Sequence, residues 1–282
     1  MATVFLNDTF LPAEQAKVSV YDRGFLFGDG VYEVIPVYGR QPFRLQAHLS
    51  RLQNSLDAIH LNNPFDEARW TQLISQLIEQ NESDNQAVYL QVTRGVAPRE
   101  HVFPEGVKPT VFMMSNPLNS LPESYKEQGI KAITVDDIRW QRCDIKAITL
   151  LPNTMLRQQA HEQGAGEAIL IRDGVMTEGS ASNSYAVFDG VIYTAAKDNT
   201  VLPGITRDFV LELAAKANIA FREESVTAER LTQADEIWIS SSTRELLPVT
   251  TLDDKPVGLG IPGPIWQQLD ELYQRDKLEA NK

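Results

Sequence analysis

The stretch TEGSASNSYAVFDGVIYTAAKDNTVLPGITRD, residues 177–208, decides how this chain is read. It sets one carboxylate, Glu178, among the small residues Gly179, Ser180, Ala181 and Ser182, where a flat ring could approach uncluttered backbone. Two strands are predicted next, at 183–188 and 190–195. LPGITRD, 202–208, reads as a helix start, with Gly204 giving open backbone and Ile205 and Thr206 offering N–H groups that no earlier turn can bond. Taken singly, these are a turn glutamate before a strand and an ordinary helix cap.

Upstream, RWQRCDIKAITLLPN, residues 139–153, places Lys146 among Ile145, Ala147, Ile148, Leu150 and Leu151. The plain reading is a surface lysine whose stem lies on apolar side chains. The sharper reading is a desolvated amine, whose pKa falls with burial and which becomes a nucleophile towards carbonyls. If that carbonyl belongs to pyridoxal 5'-phosphate, the ring nitrogen needs a carboxylate and the phosphate needs N–H groups at a helix N-terminus, with an arginine or hydroxyls to help. Glu178 and the 202–208 segment are of those kinds, and SSST at 240–243 adds a row of hydroxyls at a strand end.

The joint spacing is far more specific than any part. Glu178 is followed by Asn183, Tyr185, IYT at 192–194, and then Leu202-x-Gly204-Ile205-x-Arg207. This pattern resembles the signature of the class IV (fold-type IV) aminotransferases. One position departs from it, since Ser184 stands where that family usually has an apolar residue on an inward strand site. Resemblance to the D-amino acid aminotransferase branch runs along the whole chain, through YDRGFLFGDGVYEVIPVY, HLSRL, QVTRGVAPREHVFPEG, DDIRWQRCDIKAITLLPN and TEGSASN. The lone GDG within it is no dinucleotide fingerprint, because the full spacing after a strand is missing.

The resemblance implies a role for each matching residue. Lys146 would be the Schiff-base lysine and proton shuttle, and Glu178 the partner of the pyridinium nitrogen. Arg51 would grip the phosphate, with the N–H groups of Ile205 and Thr206, the Thr206 hydroxyl and Ser242 completing the cup. Arg51 lies about 100° off the leucine face of its helix, so a solvated arginine is its plain reading. Arg99 and His101, with Tyr32, would form a carboxylate trap. Spaced i, i+2 in an extended loop, Arg99 and His101 project to one side, although Arg-x-His in a loop is more often plain polar surface. In that branch the Arg and His come from the neighbouring subunit, which implies a homodimer.

The implied reaction is ping-pong exchange of an amino group between D-amino acids (D-alanine, D-glutamate) and 2-oxo acids (pyruvate, 2-oxoglutarate). Within the class, the alternatives are a branched-chain L-amino acid aminotransferase, an (R)-selective amine transaminase and an aminodeoxychorismate lyase. Outside it, the alternative is a non-catalytic protein that binds the same cofactor.

Two α/β (α+β) domains are expected in a fold-type IV architecture, with the cofactor at their interface. The first spans residues 1–117, NPLNSLPES supplies a linker at 118–123, and residues 124–282 form the second, carrying Lys146. Strands are predicted at 2–6 and 17–21, helices at about 46–61 and 66–80. Leu45, Leu49, Leu52, Leu56 and Ile59 make one apolar helical face, and Trp70, Leu73, Ile74, Leu77 and Ile78 another.

The chain has 282 residues and a net charge of −12. That charge, with no basic run, argues against nucleic acid and anionic membranes as partners. Cys143 is the single cysteine. It is expected to be a packed thiol in a reducing, cytoplasmic setting, and the N-terminal stretch has no basic start or apolar run of a secretory signal. His48, His60 and His161 show no metal spacing, so no metal is expected, and they read as solvated or structural.

Overall fold

A computed structural model describes residues 2–279 as two compact units. The first unit comprises the chain up to Asn119 together with Ile145–Leu150. The second comprises Ser120–Asp144 and, among the described residues, those from Leu151 on.

In the first unit the elements run β1 (Thr3–Leu6), β2 (Thr9–Pro12), α1 (Arg23–Phe27), β3 (Gly30–Tyr38), β4 (Gln41–Pro42), α2 (Leu45–Ala58), α3 (Glu67–Glu79), β5 (Gln86–Thr93) and β6 (Thr110–Pro117). The strands form one six-stranded sheet in the order β2-β1-β6-β5-β3-β4, antiparallel throughout. Along β3 the residues alternate, so Val31, Glu33, Ile35 and Val37 are fully buried while Tyr32 and Val34 are only partly covered.

Leu45, Leu49, Leu52 and Leu56 of α2 are buried in the same core as Trp70, Leu73, Ile74, Leu77 and Ile78 of α3. A helix of 14 residues is marginal alone. Burying four leucines, at roughly 1.5–3 kcal/mol each, is what holds it.

Residues 17–21, predicted as a strand, are not one. The alternation of VSVY reads as a strand, but β1 already has β2 on one edge and β6 on the other. The segment joins no strand ladder, and Val18, Val20 and Tyr21 stay exposed.

The second unit contains α4 (Glu123–Glu127), β7 (Ile130–Asp136), α5 (Leu151–Glu162), β8 (Glu167–Arg172), β9 (Val175–Gly179), β10 (Asn183–Phe188), β11 (Val191–Thr194), α6 (Ile205–Lys216), β12 (Phe221–Glu223), α7 (Ala228–Leu231), β13 (Glu236–Ser241), β14 (Glu245–Leu252), β15 (Lys255–Pro256) and α8 (Pro264–Glu279). Its nine-stranded sheet follows β12-β11-β10-β13-β14-β7-β8-β9, with β15 on β14. The sheet is mixed, since β7 runs parallel to both β8 and β14 while β10 is antiparallel to β11 and β13. Such mixed order suits strands buried on both faces, and Ala168, Ile169 and Leu170 of β8 are all fully covered.

Candidate active site

The backbone of Lys146 is bonded to β3. The Tyr32 N–H donates to the Lys146 carbonyl at 3.0 Å, the Ile148 N–H donates to the Gly30 carbonyl at 3.1 Å, and Val31 faces Ala147 across an antiparallel bridge. Ile145 joins the first unit's core, and the Lys146 N–H donates to the Ser55 hydroxyl of α2 at 3.2 Å. These bonds place Ile145–Leu150 in the first unit, whereas the sequence counts this segment with residues 124–282. The side chain of Lys146 is half-buried, and its Nζ lies 4.3 Å from the centre of the Tyr32 ring. Tyr32 in turn stacks on Tyr89, centroids 5.6 Å apart.

Beside the leucine row of α2 runs a polar row, His48, Arg51 and Ser55, also buried. Two of its members, His48 and Arg51, reach Glu33. Arg51 donates from Nε to Glu33 Oε1 and from Nη2 to Oε2, each at 2.8 Å, and His48 Nδ1 donates to Oε2 at 2.8 Å. Burial works against the Glu33 charge, yet Arg51 and His48 hold its carboxyl well below the usual range. Burial pushes His48 the other way, below its ordinary value, against the pull of Glu33. Arg51 is therefore clamped in the interior with a set orientation, in contrast to the solvated arginine of its plain reading.

The sequence reading missed Glu33 as its partner. The inward alternation of VYEVIPVY was the available signal, because a carboxylate in a buried row requires a cation.

In the second unit, Glu178, next to last in β9, is buried. Three donors meet its carboxylate: Arg139 Nη1 in a short contact, Asn183 Nδ2 at 3.1 Å and the Leu202 N–H at 3.0 Å. Burial pushes the Glu178 carboxyl above its ordinary value, with Arg139 pulling against that shift. Arg139 is held in turn by two bonds to Asp137, each 2.8 Å. The same neighbours push the guanidinium pKa of Arg139 up. The geometry favours the ionised pair, because the three groups hydrogen-bonded to the Glu178 carboxylate all donate. Arg139 is the second residue that the sequence reading left out.

Asn183 also donates to the Leu202 carbonyl at 2.9 Å, which fastens the start of α6 to Glu178. Gly204 is required here by close approach, since a Cβ would stand 1.9 Å from Asn183 Oδ1. Gly204 caps α6 without any side-chain hydrogen bond, so the N–H groups of Ile205 and Thr206 open the helix with no side-chain acceptor at the cap. Ser242 is half-buried in the turn between β13 and β14. Ser184 is fully buried, its hydroxyl 3.5 Å from the Thr177 carbonyl. Cys143 is buried, with Sγ 3.3 Å from the Trp140 carbonyl.

Arg99 and His101 are exposed and meet at Phe27. The Arg99 guanidinium lies 5.1 Å from the ring centre, and the His101 and Phe27 rings are 5.4 Å apart. Among the described residues, no hydrogen bond, ion pair or ring contact joins Tyr32 to either of them. His60 and His161 are exposed. No group of three or more His, Cys, Asp or Glu side chains poised for a metal occurs among the described residues.

The donor set suits pyridoxal 5'-phosphate: a lysine amine, a carboxylate cradled by donors alone, and a helix N-terminus beginning at an uncapped glycine. The family model for amino-transferase class IV matches residues 30–252. D-alanine aminotransferase of Bacillus licheniformis is 42% identical over 275 residues, covering 98% of this chain and 97% of that protein. D-alanine aminotransferase of Staphylococcus aureus (strain COL) is 41% identical over 276 residues, 98% of each. A branched-chain amino acid aminotransferase of T.th., solved with pyridoxamine 5'-phosphate, superposes with a TM-score of 0.91 at 27% identity, covering 96% of this chain and 92% of that one. The fold is thus that of fold-type IV aminotransferases, and with a family match of this extent and relatives this similar along almost its whole length, the chain belongs to the class IV aminotransferases.

Proposed function

We propose that this protein is a D-amino acid transaminase that uses pyridoxal 5'-phosphate to exchange an amino group between D-alanine or D-glutamate and pyruvate or 2-oxoglutarate. The observation that carries the substrate class is the convergence of Arg99 and His101, both exposed, on Phe27. Two cationic or donor groups on one platform suit a planar α-carboxylate. The identity to the two D-alanine enzymes supports the same choice over the branched-chain L-amino acid reading.

When bound, the cofactor supplies an aldehyde to receive the substrate's amine and a protonated ring to take up the electron pair left by the α-proton. Lys146 would take up that proton at Nζ and give it back to complete the transfer. Its backbone bonds to β3 fix where the side chain starts, and its Nζ lies over the Tyr32 ring. Glu178, held anionic by Arg139, Asn183 and Leu202, keeps the ring nitrogen protonated. Arg51, the Ile205 and Thr206 N–H groups, the Thr206 hydroxyl and Ser242 hold the phosphate. Arg99, His101 and Tyr32 orient the carboxylate.

The functional assembly is a homodimer in which Arg99 and His101 serve the partner's site. Two observations support this. Tyr32 meets neither residue within the chain. Val18, Val20, Tyr21, Phe25, Val96, Val102 and Phe103 are exposed in the first unit, and their two segments are joined by the Asp22–Val96 bridge. No helix among the described residues is long and apolar enough to cross a membrane, and the lone buried thiol accords with a cytoplasmic setting.

The test is a panel of initial rates with D-alanine, D-glutamate, L-leucine and (R)-1-phenylethylamine as donors and pyruvate or 2-oxoglutarate as acceptor. D-substrates should lead, and Lys146→Ala should leave a folded protein with no turnover. Faster turnover of L-leucine, or an active Lys146→Ala, refutes the proposal.

A further inference from the structure

The Gly28-Asp29-Gly30 turn joins α1 to β3, and its carboxylate gathers two arginines. Asp29 Oδ2 accepts from Arg23 Nε and from Arg94 Nε, each at 2.8 Å, and Oδ1 accepts from Arg94 Nη2 at 3.0 Å. The arginine side chains are 3% and 6% exposed and that of Asp29 is 12% exposed. Asp29 is the only carboxylate paired with either of them among the described residues. Burial opposes the charge of Asp29, but Arg94 and Arg23 hold its carboxyl below the usual range.

Both arginines continue to the loop that carries Arg99 and His101. Arg23 donates from Nη1 to the Glu100 carbonyl in a short contact, and from Nη2 to the His101 carbonyl at 3.5 Å. Its guanidinium also lies 4.7 Å from the centre of the Phe27 ring, the platform shared by Arg99 and His101. Arg94 lies 3.6 Å over the Phe103 ring, and its N–H donates to the Asp29 carbonyl at 3.1 Å. Three points of the 99–103 loop thus hang on two cations, and both cations hang on one carboxylate. Without that carboxylate, two desolvated guanidiniums would repel each other beside a third, Arg99.

We propose that Asp29 is a positioning residue for recognition of the substrate carboxylate: by fixing Arg23 and Arg94 it sets the loop that presents Arg99 and His101. The inference rests on the assignment of Arg99 and His101 to the carboxylate, so Arg99→Ala is measured alongside. Asp29→Asn keeps the shape of the side chain and removes its charge. In the cofactor-loaded enzyme it should raise KM for D-alanine and for pyruvate about tenfold with kcat changed less than about threefold, because binding is lost while the chemistry is untouched. Trypsin should also cut after Arg99 faster in that variant. Asp29→Glu, with the same charge one methylene longer, should recover part of the loss. If Arg99→Ala raises KM and Asp29→Asn leaves both KM and cleavage as in the parent, the positioning role is overturned and the carboxylate assignment stands. If Arg99→Ala itself leaves KM unchanged, the carboxylate assignment falls. Should Asp29→Asn fail to fold, Arg23→Lys decides the matter. It keeps a cation beside Asp29 but loses the fork to the Glu100 and His101 carbonyls, so KM should rise, and an unchanged KM overturns the proposal.

Discussion

Replacing Glu33 by glutamine tests whether the buried clamp on Arg51 is electrostatic. The amide fills the same space, so no cavity forms and no packing is lost. What changes is the charge, which sits at 2.8 Å from Arg51 Nε, Arg51 Nη2 and His48 Nδ1 and is fully shielded from solvent. A charge pair about 4 Å apart at an effective dielectric near 20 is worth about 4 kcal/mol. Loss of one partner from a buried pair costs about 3–5 kcal/mol, because the other charge stays desolvated. At about 2–4 °C per kcal/mol for a domain of this size, Tm should fall by about 6–20 °C.

Thermal unfolding of the cofactor-free protein, followed by far-ultraviolet circular dichroism, measures this directly. The double variant Glu33→Gln with Arg51→Gln should be more stable than the sum of the two single losses, because the second change removes the stranded charge. A loss under about 1 kcal/mol, or single losses that simply add, would refute the clamp.

His48 titrates as neighbour to this pair. Burial, helped by Arg51 and Lys146, lowers its folded pKa below 6.5 in spite of Glu33. The unfolded chain then binds more protons than the fold as pH falls through about 6.5, so stability should drop on acidification by up to about 1.4 kcal/mol per pH unit. His48→Gln should flatten that slope between about pH 6.5 and 5, and an identical slope in both proteins would count against it. Gly204→Ala places a methyl 1.9 Å from Asn183 Oδ1. It should drive Asn183 off Glu178 and Leu202 at a cost of about 1–3 kcal/mol, seen as faster loss of cofactor on dialysis, and unchanged retention would show that Asn183 does not govern the cradle. Sedimentation equilibrium should give twice the chain mass, and Val102→Glu should shift the protein towards monomer with loss of turnover; a fully active monomer would remove the shared-site arrangement.

Much of the fold was legible in the sequence because its signals are local. The leucine row of α2 and the apolar row of α3 report their own buried faces, and both helices form close to the predicted ends. The start of α6 and the turn that follows Glu178 are marked by small residues. The error at 17–21 came from the same kind of signal. Alternation reports that a segment is able to pair, and whether it pairs depends on contacts elsewhere in the chain.

By itself the sequence determined the family and the kinds of chemical group: one lysine, one carboxylate, one helix start, and an Arg-x-His loop at fixed spacings. It determined these because covalent order is what the signature records. Only the tertiary structure decided the partners. Glu33 meets Arg51 and His48 across 18 and 15 residues, Glu178 meets Arg139 across 39, and Arg23 meets Glu100 across 77. It also decided that Lys146 folds with β3, by backbone bonds that carry no trace in residue type. A buried charge requires a counter-charge, but nothing in local periodicity says which one, because that choice is made by strands and helices brought together over distances the chain order does not encode.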